Sequence, residues 1–339
     1  MSRDIIVGLD AGTSLIKFVA FTLEGKFIDS ASVENKVYYR EGSKAEQNLN
    51  ETWEKVIESL GLLHQKIPNL QDRIAGLSIT GQGDGSWPID NQANPVGDAA
   101  LWLDGRSGDI IDQWRNSEVG PSVTNITHTG LNPSMQSGQM YHIAKFERER
   151  FDQIDKVLRC KDWIFHKMTG EILTEISEAI MTWGSPLTRK YDDEVLHLLD
   201  LHSMKKKQPE IIDSTEHFGK LTLQASKLLN LKEGTPIILA PVDVVCSGIG
   251  SGFVDHSKKI GCTVLGTAGI HIFVDFINSD VESSKQLGYT MPLSGSKANA
   301  KMVSNMVASL NTDWFIDIYS SIYEKIGEKN FSKKEILNF

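Results

Sequence analysis

Val7-Gly8-Leu9-Asp10-Ala11-Gly12-Thr13 leads into the apolar run Leu15 to Phe21, and far along the chain Thr263-Val264-Leu265-Gly266-Thr267-Ala268-Gly269 leads into the apolar run Ile270 to Phe276. Both stretches read as strand, tight glycine turn, strand. A hairpin met twice in this form implies two related domains that face each other, each offering a backbone loop to a ligand lying between them. A third strand from Phe27 follows the first hairpin. Asn50 to Leu63 then places Trp53, Val56, Ile57 and Leu60 on one face, as an amphipathic helix with Asn50 as its expected cap. Strand, strand, strand, helix is the order of a mixed α/β sheet backed by helices.

Outward from that opening, Ile74 to Thr80 is a further strand, ended by Gly81-Gln82-Gly83-Asp84-Gly85. A short strand at Trp87 to Ile89 and a turn at Asp90 to Pro95 come next. From Leu101 to Gly219 the pattern is mainly helical, with a distinct helix at Lys161 to Met168 stopped by Gly170, and Thr235 to Ala240 reads as a buried strand. These signals place a first domain at 1–240 and a second at 241–339. Val303, Met306, Val307, Leu310, Trp314, Phe315 and Ile318 read as one helical face. The second unit is short for a domain, and the expectation is that it is incomplete.

Composition narrows the classes of function. The chain has 339 residues, 40% of them hydrophobic, and Lys plus Arg number 35 against 44 Asp plus Glu, a formal charge of -9. That balance argues against non-specific affinity for nucleic acid or an anionic membrane. No basic segment followed by an apolar run opens the chain and no run is long enough to span a bilayer, so a cytoplasmic location is expected. Cys160, Cys246 and Cys262 have no metal-ligand spacing and read as buried free thiols.

Candidate chemistry gathers at a few points. The first turn carries Asp10, the hydroxyls of Thr13 and Ser14, and Lys17 beyond them. Amides around Gly12 suit phosphate oxygens, while Asp10 suits a hydrated Mg2+. The second turn adds Gly266, Thr267 and Gly269. There is no GxxxxGK[ST] P-loop and no GxGxxG opening a helix. Asp243 lies among apolar residues just after a buried strand, where it either caps a helix or takes part in chemistry. Gln82, Gly83 and Asp84, with Trp102, Asp104 and Arg106, have the mixture of a polyhydroxyl site: a flat apolar ring for carbon and polar groups for hydroxyls. The plainer reading packs the tryptophans into a core and pairs Asp104 with Arg106 on a turn.

Taken in order, Gly8 to Ser14, Gly81 to Gly85, Trp102 to Arg106, Lys161-Asp162-Trp163 with Thr169-Gly170-Glu171, Asp243, and Gly266 to Gly269 resemble the FGGY family of carbohydrate kinases. The resemblance implies an actin-like, ribonuclease H-like fold, with two related domains around a cleft that takes MgATP and a sugar or polyol. It implies phosphate and metal contacts at Asp10 and Thr13, with Asp243 beside them, and phosphate binding by Gly266 to Gly269. Asp243 would be the general base, and Gln82, Gly83, Asp84, Trp102 and Asp104 would line the polyol pocket. Gly83-Asp84, Trp102 and the sequence around Asp243 are most similar to the erythritol kinase branch, where a small glycine beside an aspartate leaves room for a linear polyol. A ketose kinase, a non-catalytic sugar-binding protein and a filament-forming relative stand as alternatives; the polyol-pocket residues speak against the last. Dimers occur in such families, so a homodimer is compatible, but no residue here demands one. Residues 1–339 alone are expected to bind polyol and to turn over almost none, because nothing in 301–339 resembles the family's adenine-contacting loop.

Overall fold

A computed structural model describes residues 3–255, 260–265, 269–275, 288–305 and 308–326. The labelled strands are β1 (Ile5–Ala11), β2 (Leu15–Thr22), β3 (Phe27–Glu34), β4 (Ile74–Gly81), β5 (Gly219–Lys220), β6 (Pro236–Leu239), β7 (Gly261–Leu265), β8 (Gly269–Asp275), β9 (Tyr289–Pro292) and β10 (Asn299–Asn305). The labelled helices are α1 (Leu49–Lys66), α2 (Cys160–Thr169), α3 (Ile176–Trp183), α4 (Asp243–Gly250) and α5 (Ser309–Ile326).

A six-stranded sheet runs β5-β6-β4-β1-β2-β3. β1 to β3 form an antiparallel meander, whereas β4 lies parallel to β1 and β6 parallel to β4. Alternation along β1 turns Ile5, Val7, Leu9 and Ala11 inward, where Ile16, Phe18 and Ala20 of β2 join them. α1 covers this face with Trp53, Val56, Leu60 and Leu63. Its cap is Asn48 rather than Asn50: the Asn48 side chain accepts from the amides of Asn50 and Glu51, and the helix extends to Lys66. α2 ends at Gly170, whose left-handed backbone (φ 80°) suits the residue that closes a helix.

The second sheet is four-stranded and wholly antiparallel, in the order β7-β8-β10-β9. β7 and β8 repeat the β1–β2 hairpin, and β10 takes the place beside β8 that β3 takes beside β2. Val303 therefore belongs to a strand, not to a helical face. β10 pairs with β8 from Asn299 to Asn305, and the helix starts only at Ser309. Met306 and Val307 lie outside the described residues, while Trp314, Phe315 and Ile318 are exposed on α5. The core between α4 and this sheet joins Val242, Val245, Phe253, Ile272, Met291 and Ala300 with Met181 of α3. Gly248 lets α4 lie close, since a Cβ there would stand 2.7 Å from the Phe253 ring. Cys160 is buried, but Cys246 and Cys262 are only partly so, because they sit on a helix and a strand with one side open. Among the described residues no helix is long and apolar enough to cross a membrane.

Candidate active site

The end of β4 and the start of α4 are held side by side. Thr80 Oγ1 donates to the Pro241 carbonyl at 2.6 Å and the Ala240 amide to the Ile79 carbonyl at 2.9 Å. A Cβ on Gly83 would stand 2.7 Å from Val242 Cγ2. The room beside this glycine is thus filled by Val242, which brings the backbone of Gly83 against the residue preceding Asp243, rather than being left open for a polyol. The junction opens into a cavity of about 1010 Å3 lined by Thr13, Gly83, Asp84, Trp102, Asp104 and Asp243, and on the far side by Tyr289, Met291 and Met302 of the second sheet. That volume is at the upper end of small-molecule sites, roughly 300–1,000 Å3, and gives room for two reactants.

Asp243 is the first residue of α4, and the cap position before it is Val242. The carboxylate accepts from the Val244 amide at 2.7 Å. Burial pushes its carboxyl up to about 7; the Asp10 charge adds to the rise, the Val244 amide opposes it, and Glu178 contributes least. Asp10, near the end of β1 and across from Lys17 on β2, is exposed. Its carboxyl is raised by the partial desolvation of the cleft walls, against the Lys17 charge. Among the described residues no group of three or more His, Cys, Asp or Glu is arranged around a metal position. Mg2+ commonly takes only one or two protein carboxylates and completes its shell with phosphate and water. Asp10 and Asp243, each raised above the ordinary range and near enough for the Asp10 charge to act on Asp243, fit that demand.

The first glycine turn is internally bonded. The Gly12 amide donates to the Leu15 carbonyl at 3.0 Å, which closes the first turn. Thr13 Oγ1 donates to Gln82 Oε1 at 2.9 Å and accepts from Trp102 Nε1 at 2.8 Å. This hydroxyl fixes both the glutamine and the indole. Ser14 and Lys17 are exposed. The Gly269 amide donates to Asn305 Oδ1 at 2.9 Å; Gly266 and Thr267 lie outside the described residues.

Gln82, expected to line the polyol pocket, is not among the residues lining the cavity: it is buried and spans Thr13 and Gln47, to which its amide donates at 2.7 Å. Asp104 is enclosed. Its oxygens accept from the Ala45 amide and from the Arg106 amide and guanidinium at 2.7 to 3.0 Å. The pairing with Arg106 holds, in the interior rather than on a surface turn. Asp84 has the opposite character. Its backbone is left-handed (φ 53°) and its amide donates to Glu178 Oε1 at 3.1 Å. Oδ2 accepts from Ser134 Oγ at 2.8 Å and Tyr289 Oη at 3.0 Å, while Oδ1 is buried without a hydrogen-bond partner. Burial raises this carboxyl, with Arg159, Ser134 and Tyr289 opposing.

Beneath Asp84 lies a charged cluster of Arg159, Lys161, Asp162 and Glu178. Lys161 Nζ is 3.0 Å from Glu178 and 3.3 Å from Asp162, and all these side chains are enclosed. Burial disfavours the Lys161 charge, but Asp162 and Glu178 outweigh it and the ammonium is held. Lys161-Asp162 stands out in the sequence without a role; the structure gives it one, neutralising the Glu178 that orients Asp84. Glu178, Ser134, Asn132 and Tyr289 carried no signal in the sequence. Their partners lie as far as 205 positions away along the chain.

Comparison with known proteins bears on this arrangement. Residues 5–250 match the N-terminal domain of the FGGY family of carbohydrate kinases. The chain is 34% identical over 320 residues to an erythritol kinase of Brucella abortus, covering 94% of this chain and 61% of that protein. It is 25% identical over 285 residues to a xylulose kinase of Staphylococcus xylosus, covering 84% of this chain and 58% of the relative. Among solved structures, a xylulose kinase from Rhodospirillum rubrum superposes with a TM-score of 0.85 at 18% identity, over 93% of this chain and 63% of the other. The fold is therefore the actin-like one, and the chain spans about three fifths of the length of the curated relatives it matches. With a family match across most of its length and this cleft between its two sheets, the chain belongs to the FGGY family of carbohydrate kinases.

Proposed function

We propose that the protein is an ATP-dependent kinase of a small linear polyol, with erythritol the leading acceptor. The observation that carries the reading is that Asp84, whose Oδ1 has no hydrogen-bond partner, and Asp243 line the same cavity. A polyol hydroxyl donating to the Asp84 carboxylate would hold the carbon chain across the cavity, with the Trp102 ring along it. A further hydroxyl would then face Asp243. This hydroxyl oxygen forms the new bond to the γ-phosphorus, the bond from that phosphorus to the departing ADP oxygen breaks, and the hydroxyl proton passes to Asp243. A carboxyl with a pKa of about 7 suits that task near neutral pH. Magnesium, when bound, neutralises charge on the β- and γ-oxygens. Asp10 and Asp243 are the residues that would hold it, and Lys17 adds positive charge at the same end. The relative named an erythritol kinase supports the choice of acceptor.

An ADP-release assay on the full-length protein, over four- and five-carbon polyols and ketoses, tests the reading. The expected result is a higher specificity constant for erythritol or a near neighbour than for D-xylulose or glycerol. A preference for D-xylulose over every polyol would overturn the acceptor. Absence of turnover on every compound would favour a sugar-binding protein.

A further inference from the structure

Two carboxylates line one wall of the cavity and are treated differently by the fold. Asp104 has both oxygens occupied by Arg106 and backbone amides. Asp84 has both of its side-chain partners on Oδ2 and none on Oδ1. A carboxylate kept only for structure would be finished as Asp104 is, since a buried acceptor left unpaired costs about 1–3 kcal/mol. The asymmetry at Asp84 is made by Tyr289, which opens β9 of the second sheet.

Tyr289 is itself held from several sides. Asn132 Nδ2 donates to its hydroxyl oxygen at 2.7 Å, so the tyrosine proton is directed to Asp84, and Ser134 Oγ lies 3.1 Å away. The backbone around it is tied to the first domain. Gly130 N donates to the Gly288 carbonyl at 2.9 Å, Thr290 N to Thr129 Oγ1 at 3.0 Å, and Thr290 Oγ1 to the His128 carbonyl at 2.6 Å. The phenol therefore reaches Asp84 from a fixed strand, across 205 positions of sequence.

We propose that Tyr289 is a specificity-determining positioning residue of the acceptor site: with Ser134 it holds Oδ2 of Asp84, so that the carboxylate keeps one orientation toward an inner hydroxyl of the polyol. The inference rests on the polyol-kinase reading above and deepens it. A carboxylate freed to rotate would offer either oxygen to water or to an acceptor in the wrong pose. The second sheet thereby takes part in choosing the acceptor, not only in holding the nucleotide. An acceptor lacking the inner hydroxyl gains nothing from the arrangement.

Calorimetric titration of this chain with erythritol and with its deoxy analogue butane-1,2,4-triol tests the role, with xylitol as a five-carbon control. Wild type should prefer erythritol. Tyr289→Phe, which removes one oxygen and keeps the ring, should weaken erythritol binding roughly tenfold or more, the size of a lost hydrogen bond to a charged group, while the triol changes less than threefold. Ser134→Ala should shift the same preference in the same direction. Equal weakening of both ligands in both variants would mark a merely structural tyrosine, and unchanged erythritol binding in Tyr289→Phe would also overturn the inference. In either case wild-type polyol binding leaves the proposed function standing. Wild type that binds none of the three polyols overturns the proposed function, and this inference with it.

Discussion

Burial and the facing Asp10 charge keep Asp243 protonated until about pH 7, so its capacity to accept a proton depends on pH within the physiological range. The shift is upward, so the carboxyl carries a proton below that value and can take one up above it. In the full-length protein kcat/KM should rise about tenfold per pH unit below pH 7 and level off above it, with the inflection moving to lower pH as Mg2+ is raised. A flat profile between pH 5.5 and 8 would count against Asp243 as the base. Asp243→Asn should lower kcat by roughly 10² or more with polyol affinity little changed, because the lost interaction is made during transfer. Asp10→Asn should raise the Mg2+ concentration needed for half-maximal rate; an unaltered metal dependence would remove Asp10 from the metal end. Asp84 and Asp243, which line the cavity, stand out in the sequence because one lies beside glycine and the other just after an apolar strand. That Asp104 is fully occupied, and that Glu178 underlies Asp84, was not legible. Both depend on which oxygen meets which donor.

Elements built on local pattern were the more readable ones. The β1–β2 hairpin follows from alternation and a glycine turn, and α1 from its apolar stripe, with the cap misplaced by only two positions between neighbouring asparagines. β10 was misread as helix because Val303 fits a helical spacing with residues beyond it, whereas the pairing that decides its state lies in β8. Close packing between elements makes a further prediction. α4 approaches the Phe253 ring so nearly at Gly248 that a methyl group would stand 2.7 to 2.9 Å from ring carbons. Gly248→Ala should therefore destabilise the chain by about 1–3 kcal/mol, measured by urea denaturation. A loss below about 0.5 kcal/mol would show that the ring can move aside.

At the scale of the molecule, the cavity wall is assembled from both sheets, so a polyol held as proposed should bind only the folded arrangement and stabilise it. At a hundredfold excess over its Kd, an acceptor should add about 2.7 kcal/mol to the stability of the chain, seen as a raised melting temperature. No shift with any four- or five-carbon polyol would show that the wall is not a binding surface. The same hydrogen bonds that seat Tyr289 have another effect, on what the protein avoids. β9 is the outermost strand of its sheet, and an outermost strand ordinarily offers its unused amides and carbonyls as a template for a foreign strand. Here residues 128–130 meet Gly288 and Thr290 at that margin. That segment and Pro292, which closes the strand, together hinder pairing with a foreign strand from this side, and any substitution that frees the 128–130 segment would expose a site for aggregation along with weakening the cavity wall.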